Sequence, residues 1–346
     1  MGNIFKCTPR LRSLSMHVHL DDEDEKFPIV VTSIIILKLH FRGNLPVLNN
    51  ILHNMPNLSQ LTIEMQNNHL NGHEWKKIVV DHLPKLEILL FKMPISLSHS
   101  SKTEQQVNEL LDTFRSPFWL DKHQWYVCCD WNPDGKVCSG HLYTLPYAVG
   151  TLIDIGNIHS KWTCPNDKKY WLFDRVHTLR CKRSENERLD LHPARFSNIH
   201  DLTIALPLSK NIWSVIPTFD RLTSLHASID REESEFDLQA LFDLTPRLYT
   251  LIIDNPHPLV LSVLCRLRST SVRQLKLFPK NSSRTYYLDD PECIALAMSP
   301  LGRQCEVLNS QVESRENVVY LVNAMANLEG EGGWMGCRRL GVFQGG

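Results

Sequence analysis

Leu45–Met65 reads LPVLNNILHNMPNLSQLTIEM, and its period changes halfway. In the first half Leu45, Leu48, Ile51, Leu52 and Met55 recur at spacings of three and four, one apolar stripe on a short helix. Pro56 stops that pattern. Leu58, Leu61, Ile63 and Met65 then follow LxxLxφxφ, and the last three alternate as one face of a strand does. A single helix and a single strand cannot bury both apolar faces, so this unit needs copies of itself stacked on either side.

The copies are present. Leu11/Leu14/Met16/Val18, Ile34/Leu37/Leu39/Phe41, Leu58/Leu61/Ile63/Met65 and Leu86/Leu89/Phe91/Met93 match the strand half, with steps of 23, 24 and 28 residues from Leu14 to Leu37, Leu61 and Leu89. The pattern resumes at Val176/Leu179/Cys181, Ile199/Leu202/Ile204/Leu206, Leu222/Leu225/Ala227/Ile229, Leu248/Leu251/Ile253 and Val272/Leu275/Leu277, with steps of 23, 23, 26 and 24. Periods of about 20 to 29 residues belong to leucine-rich repeats. Helical stripes precede several strands, at His73 to Leu83, Leu238 to Leu244 and Leu259 to Leu267. Proline turns join helix to strand at Met55-Pro56-Asn57-Leu58, Leu83-Pro84-Lys85-Leu86 and Thr245-Pro246-Arg247-Leu248. The expected fold is an α/β leucine-rich-repeat solenoid, a curved parallel sheet with helices on its convex side.

Between Met93 and Val176 the period fails. Thr103 and Gln106 suggest a capping box before a helix carrying Val107, Leu110, Leu111 and Phe114. Trp125, Val127, Cys129 and Trp131 alternate, Asn132-Pro133-Asp134-Gly135 supplies turn chemistry, and Lys136 to Leu145 can return. This predicts a β-hairpin insert projecting from the array. The expected division is N-terminal repeats over 1–100, an irregular repeat with the hairpin over 101–170, C-terminal repeats over 171–329 and a flexible glycine-rich tail over 330–346. The acidic run Asp21 to Glu25 reads as a solvated loop.

Composition narrows function mainly by exclusion. A net charge of −1 in 346 residues gives no chain-wide footprint for nucleic acid. No window reaches the ~20 apolar residues of a membrane span, and the start lacks a secretion signal. Gly2 would suit myristoylation, but Lys6 stands where Ser or Thr is wanted. Ten scattered cysteines then read as reduced thiols, which places the chain in the cytoplasm or nucleus. HExxH, GxSxG and GxxxxGK[ST] are absent, so nothing nominates an enzyme or a cofactor. Cys128, Cys129, Cys138, Cys164, His123 and His141 crowd the insert and raise zinc. Zinc sites show two close pairs, whereas adjacent Cys128 and Cys129 face opposite ways on a strand, so inert thiols are expected. Trp119, Trp125, Trp131 and Tyr143 read as hairpin packing, with a nucleic-acid stacking platform as the alternative.

A partner would meet the residues between the core leucines. On the concave side these include Lys38 and His40, Glu64, Leu90 and Lys92, then Arg180 and Lys182, Ile252 and Asp254, Lys276 and Phe278. Lys38, Lys92, Arg180, Lys182 and Lys276 against Glu64 and Asp254 make the face +3, which predicts an acidic protein segment anchored by Leu90, Ile252 and Phe278. The alternative is a nucleic-acid surface using the same basic face.

LRSLSMHV, LSQLTIEM, IHDLTIAL and VRQLKLF, joined by helix-proline-strand turns, resemble the leucine-rich-repeat region of F-box proteins. FRSPFWLDKHQWYVCCDWNP followed by LYTLPYA is similar to a segment of one lineage-expanded group among them. The resemblance implies repeats that hold a substrate for a ubiquitin ligase. The F-box that docks the ligase scaffold is not seen before the repeats, so the recognition half is what carries over.

Overall fold

The computed structural model describes residues 10–19, 30–97, 102–132, 138–153, 159–165, 173–181, 195–207, 212–229, 234–254, 257–278, 286–325 and 327–328. The Asp134-Gly135 turn, the acidic run and the glycine-rich tail lie outside them. The protein is mixed α/β, with two seven-stranded sheets among the described residues, neither closed into a barrel. It divides into two compact units, the first comprising Met1–Gly150, Asn157–Val176 and Leu191–Arg195.

The first unit opens with β1 (Ser13–His19), β2 (Ile36–Arg42), α1 (Leu45–His53), β3 (Gln60–Met65), α2 (Gly72–His82) and β4 (Ile88–Leu97). The four strands are parallel, and Leu14, Leu37, Leu61 and Leu89 stand in one register row. The opening stretch folds as its two periods demand. Asn44 caps α1 by accepting from the Val47 amide at 3.0 Å, Pro46 pre-sets the first turn, and Val47, Leu48, Ile51 and Leu52 are buried. α2 begins with a capping box between Asn71 and Glu74. Its first residue, Gly72, tolerates no Cβ, because one would strike the Thr113 carbonyl, while its amide donates to Thr113 Oγ1 at 2.8 Å. Inward strand residues and helix stripes form one apolar cluster from Val18 to Leu142.

The insert departs from expectation. α3 (Thr103–Asp112) forms, but its N-cap is Lys102, whose side chain makes no cap hydrogen bond, so Thr103 is the first helical residue and not the cap of a capping box. A π-helical turn (Phe118–His123) follows, ending at Gln124 with φ 53°. β5 (Tyr126–Trp131) and β6 (Cys138–Leu145) do pair antiparallel, but they do not project. β6 also pairs antiparallel with β4, and β8 (His159–Trp162) joins β5, so the sheet order is β1-β2-β3-β4-β6-β5-β8. The physical reason is that Val127, Cys129, Trp131 and Leu142 are apolar on one side and join the common core rather than solvent.

The second unit contains β7 (Thr151–Ile153), β9 (Thr178–Arg180), β10 (Asp201–Leu206), α4 (Ile212–Val215), β11 (Ser224–Ile229), α5 (Ser234–Leu244), β12 (Thr250–Asp254), α6 (Pro258–Arg266), β13 (Gln274–Phe278), α7 (Asp290–Met298), α8 (Pro300–Gln304), β14 (Val307–Asn309) and α9 (Arg315–Ala324). All its strands are parallel, in the order β14-β13-β12-β11-β10-β9-β7. One leucine row crosses the whole sheet: Leu152, Leu179, Leu202, Leu225, Leu251, Leu275 and Leu308. β7 and β14 are too short, at three residues each, to show alternation in sequence.

Two backbone devices recur. The helix-to-strand turns close with i+3 to i bonds, Leu58 to Met55, Leu86 to Leu83 and Leu248 to Thr245, and the same bond appears at Val176 to Phe173 and Leu222 to Phe219. At the strand entries, eight carbonyls among the described residues each accept two successive amides of the next strand segment, at 2.7–3.1 Å. Arg12, Ile35 and Ser59 do so in the first unit, and His177, His200, Thr223, Tyr249 and Arg273 in the second. No helix among the described residues is long and apolar enough to cross a membrane.

Leu61 is wholly buried while Lys38 is exposed. Leu61→Ala should therefore cost about 3 kcal/mol in urea unfolding. Lys38→Ala should stay within about 0.5 kcal/mol.

Candidate partner-binding face

Parallel pairing lines up the outward residues of the first sheet as strictly as it lines up its leucines. His17, His40, Glu64 and Lys92 occupy one register row across β1 to β4. The His17 and His40 rings stack with centroids 4.3 Å apart and planes 4° from parallel. His40 Nδ1 lies 3.2 Å from Glu64 Oε2, and Lys92 Nζ donates to Glu64 Oε1 at 3.2 Å. Glu64 thus holds a neighbour on each side, and the Lys92 ammonium also lies 5.9 Å from the centre of the Tyr147 ring.

Beyond Lys92 the row becomes a buried network. Tyr143 stands opposite Lys92 on β6. Its ring meets Tyr147 edge-on at 4.9 Å, and Tyr147 stacks on Phe173 at 5.2 Å. Asp130, 7% exposed, accepts from the Tyr143 hydroxyl at 2.7 Å, the Ser160 hydroxyl at 2.6 Å and the Cys128 thiol at 3.4 Å. Desolvation, reinforced by the Asp130 charge, pushes the Cys128 thiol and the Tyr143 phenol well above their ordinary values. Both keep their protons at neutral pH and serve as donors, so Cys128 is not a nucleophile.

Several expected contact residues are already used inside the protein. Leu90, only 7% exposed, offers a partner no anchor, because the antiparallel strands beyond β4 bring Tyr143 and Tyr147 onto that face. The Lys92 side chain is 12% exposed and is neutralised by Glu64. In the second sheet Arg180, Thr203, His226, Ile252, Lys276 and Asn309 share one row. Asp254, 6% exposed, is held by His226 Nε2 at 2.7 Å and is no surface anion. Arg180 is exposed, while Ile252 and Lys276 are half-buried. Lys182 and the Phe278 side chain lie outside the described residues. The expected charges are divided between the two sheets, Lys38, Lys92 and Glu64 on the first and Arg180, Lys276 and Asp254 on the second, and Lys92 and Glu64 pair with each other within the first.

What the first sheet leaves open is a basic corner. Lys38, His17, His19 and Arg42 are exposed on the outward side of β1 and β2, and His19 pairs with Arg42 in register. His19 and Arg42 were legible as the next outward step of the alternation, past the last motif positions Val18 and Phe41.

The insert aromatics offer no stacking surface. Trp119, Trp125, Trp131 and Tyr143 are all buried, and Trp119 Nε1 and Trp125 Nε1 donate to the Gly72 and Glu87 carbonyls at 3.2 Å each. Cys129 joins the apolar core while Cys128 faces Asp130 on the other side. Cys164 is buried, His141 is exposed, and the Cys138 side chain is outside the described residues. His123 stacks on Trp125 at 4.1 Å, and burial lowers its affinity for a proton. Among the described residues no three His, Cys, Asp or Glu side chains gather around a position for an ion.

Comparison with family models, with characterised proteins and with solved structures found no match.

Asp130→Ala strands the Tyr143 and Ser160 hydroxyls and should cost about 3 kcal/mol of stability, against about 1–2 for Tyr143→Phe. In the folded protein Cys128 should resist iodoacetamide at pH 8 and react once urea unfolds the chain, read by peptide mass spectrometry. Equal labelling in both states would contradict a buried, protonated thiol.

Proposed function

We propose that the chain is a leucine-rich-repeat protein whose repeats form an interaction module, of the kind that holds substrates in F-box ubiquitin-ligase receptors. The carbonyl that takes two amides from the next strand recurs at 23- to 33-residue steps between Arg12 and Ser59 and between His177 and Arg273, through to Val307, as a stacked repeat requires. Helices would then sit on the convex side and outward strand residues on the concave side. A cytoplasmic or nuclear setting agrees with cysteines used as buried apolar side chains.

The basic corner of the first sheet is the observation that carries the choice of partner. Lys38 and Arg42, with His17 and His19 beside them, are exposed, and Glu64, the carboxylate of the His17 row that runs between them, is occupied by His40 and Lys92. The partner is an acidic segment of another protein. A nucleic-acid partner would use the same cations but would find no exposed tryptophan of the insert to stack on.

The test is selection of acidic peptides on the full chain, followed by the double change Lys38→Glu and Arg42→Glu. At least a tenfold loss of affinity is expected with the unfolding midpoint unchanged. Retained affinity, or a salt-dependent gel shift that outcompetes the peptides, would overturn the reading. Coprecipitation with a ubiquitin-ligase scaffold separates a receptor from a free recognition module.

A further inference from the structure

Away from the strand faces, α1 and α2 end beside each other with one histidine apiece. His53 closes the last turn of α1 and His82 that of α2. Their Nδ1 atoms are 3.2 Å apart, with ring centroids at 5.0 Å and planes crossing at 86°. Among the described residues neither ring has another hydrogen-bond partner.

Two imidazole nitrogens cannot face each other at that distance with bare lone pairs. Either the N–H of one ring points at the lone pair of the other, or a cation is bound by both. The 3.2 Å separation fits a hydrogen bond and fits a bound ion equally, since imidazole nitrogens on a tetrahedral ion at 2.0–2.1 Å stand about 3.3 Å apart. The surroundings favour the cation, since both helices turn their carbonyl ends, the negative ends of their dipoles, toward this point. His53 is exposed and His82 half-buried, so an ion can enter and water can complete its coordination.

We propose that His53 and His82 form a two-imidazole site for one divalent transition-metal ion of the imidazole-preferring group, Zn²⁺, Ni²⁺ or Cu²⁺. The ligands come from successive helices, so the ion bridges α1 to α2 across the interface between two repeats. Binding therefore stabilises the folded chain, which alone holds the two rings together.

The test uses the chelator-treated full chain titrated with ZnCl₂ and NiCl₂ by calorimetry, beside His53→Gln and His82→Gln. The protein has 16 histidines, so the readout is the difference between parent and variants. One equivalent should disappear in each single variant, and the rise in melting temperature that the ion gives the parent should vanish with it. Cu²⁺ loaded at one equivalent should show two nitrogen ligands by electron paramagnetic resonance in the parent and one in either variant. Both side chains are at the surface, so metal-free melting temperatures should match and exclude misfolding as the cause. A parent that binds no ion, or an equivalent lost in neither variant, would overturn the site and leave the contact an N–H···N hydrogen bond.

Discussion

The backbone carbonyl at each strand entry is the constraint on which the rest depends. Ile35 oxygen takes the Ser59 and Gln60 amides, Ser59 oxygen takes Glu87 and Ile88, and the same forked bond runs from His177 to Arg273 in the second sheet. A one-residue slip would turn every apolar residue of a strand to the outward side. The forked bond prevents it, because two amides are fixed on one oxygen before the ladder begins. The leucine rows follow from that register, and so do the outward rows. His17, His40, Glu64 and Lys92 are therefore neighbours in space although 23, 24 and 28 residues separate them in sequence.

The device ends at β4, and the protein's chemistry changes there. Tyr143 on an antiparallel strand now stands across from Lys92, and no leucine row continues. Burying the polar side of β5 is tolerable only if its groups are satisfied. Asp130 meets that condition with three donors, two hydroxyls and a thiol. Its placement also explains why Gly140 is glycine, since a Cβ there would strike the Asp130 carbonyl across the hairpin. The same burial that makes Cys128 and Tyr143 poor acids makes the insert a structural element of the sheet.

The parallel strands and their leucine rows were legible in the sequence because Leu, Ile and proline mark the two periods locally. Leu61 and Ile63 are core and Thr62 lies between them, as LxxLxφ implies. The insert was legible as a helix, two strands and packing aromatics, but not as part of the sheet. Whether Trp125 and Trp131 face solvent or core depends on β6 pairing with β4, a contact more than forty residues long in sequence that alternation cannot encode. Burial on the outward side was not legible for a related reason. Alternation identifies Leu90 and Asp254 as outward, but it is silent on Tyr147 near Lys92 and on His226 beside Asp254, and both outward residues are buried.

An outward row in a repeat sheet serves two demands that compete for the same side chains. Charges stacked 4.7–4.9 Å apart on neighbouring strands must satisfy one another or repel. Glu64 resolves this for the middle of the first sheet by holding His40 on one side and Lys92 on the other. Under the proposed function, recognition would fall to positions one step along each strand, where Lys38 and Arg42 carry charge without a carboxylate across the ladder: Lys38 faces Ser15 and Thr62, and Arg42 faces His19. The row that looks most elaborate is thus the one whose charges satisfy one another within the sheet, and the plainer basic positions flanking it are the ones proposed for an acidic partner.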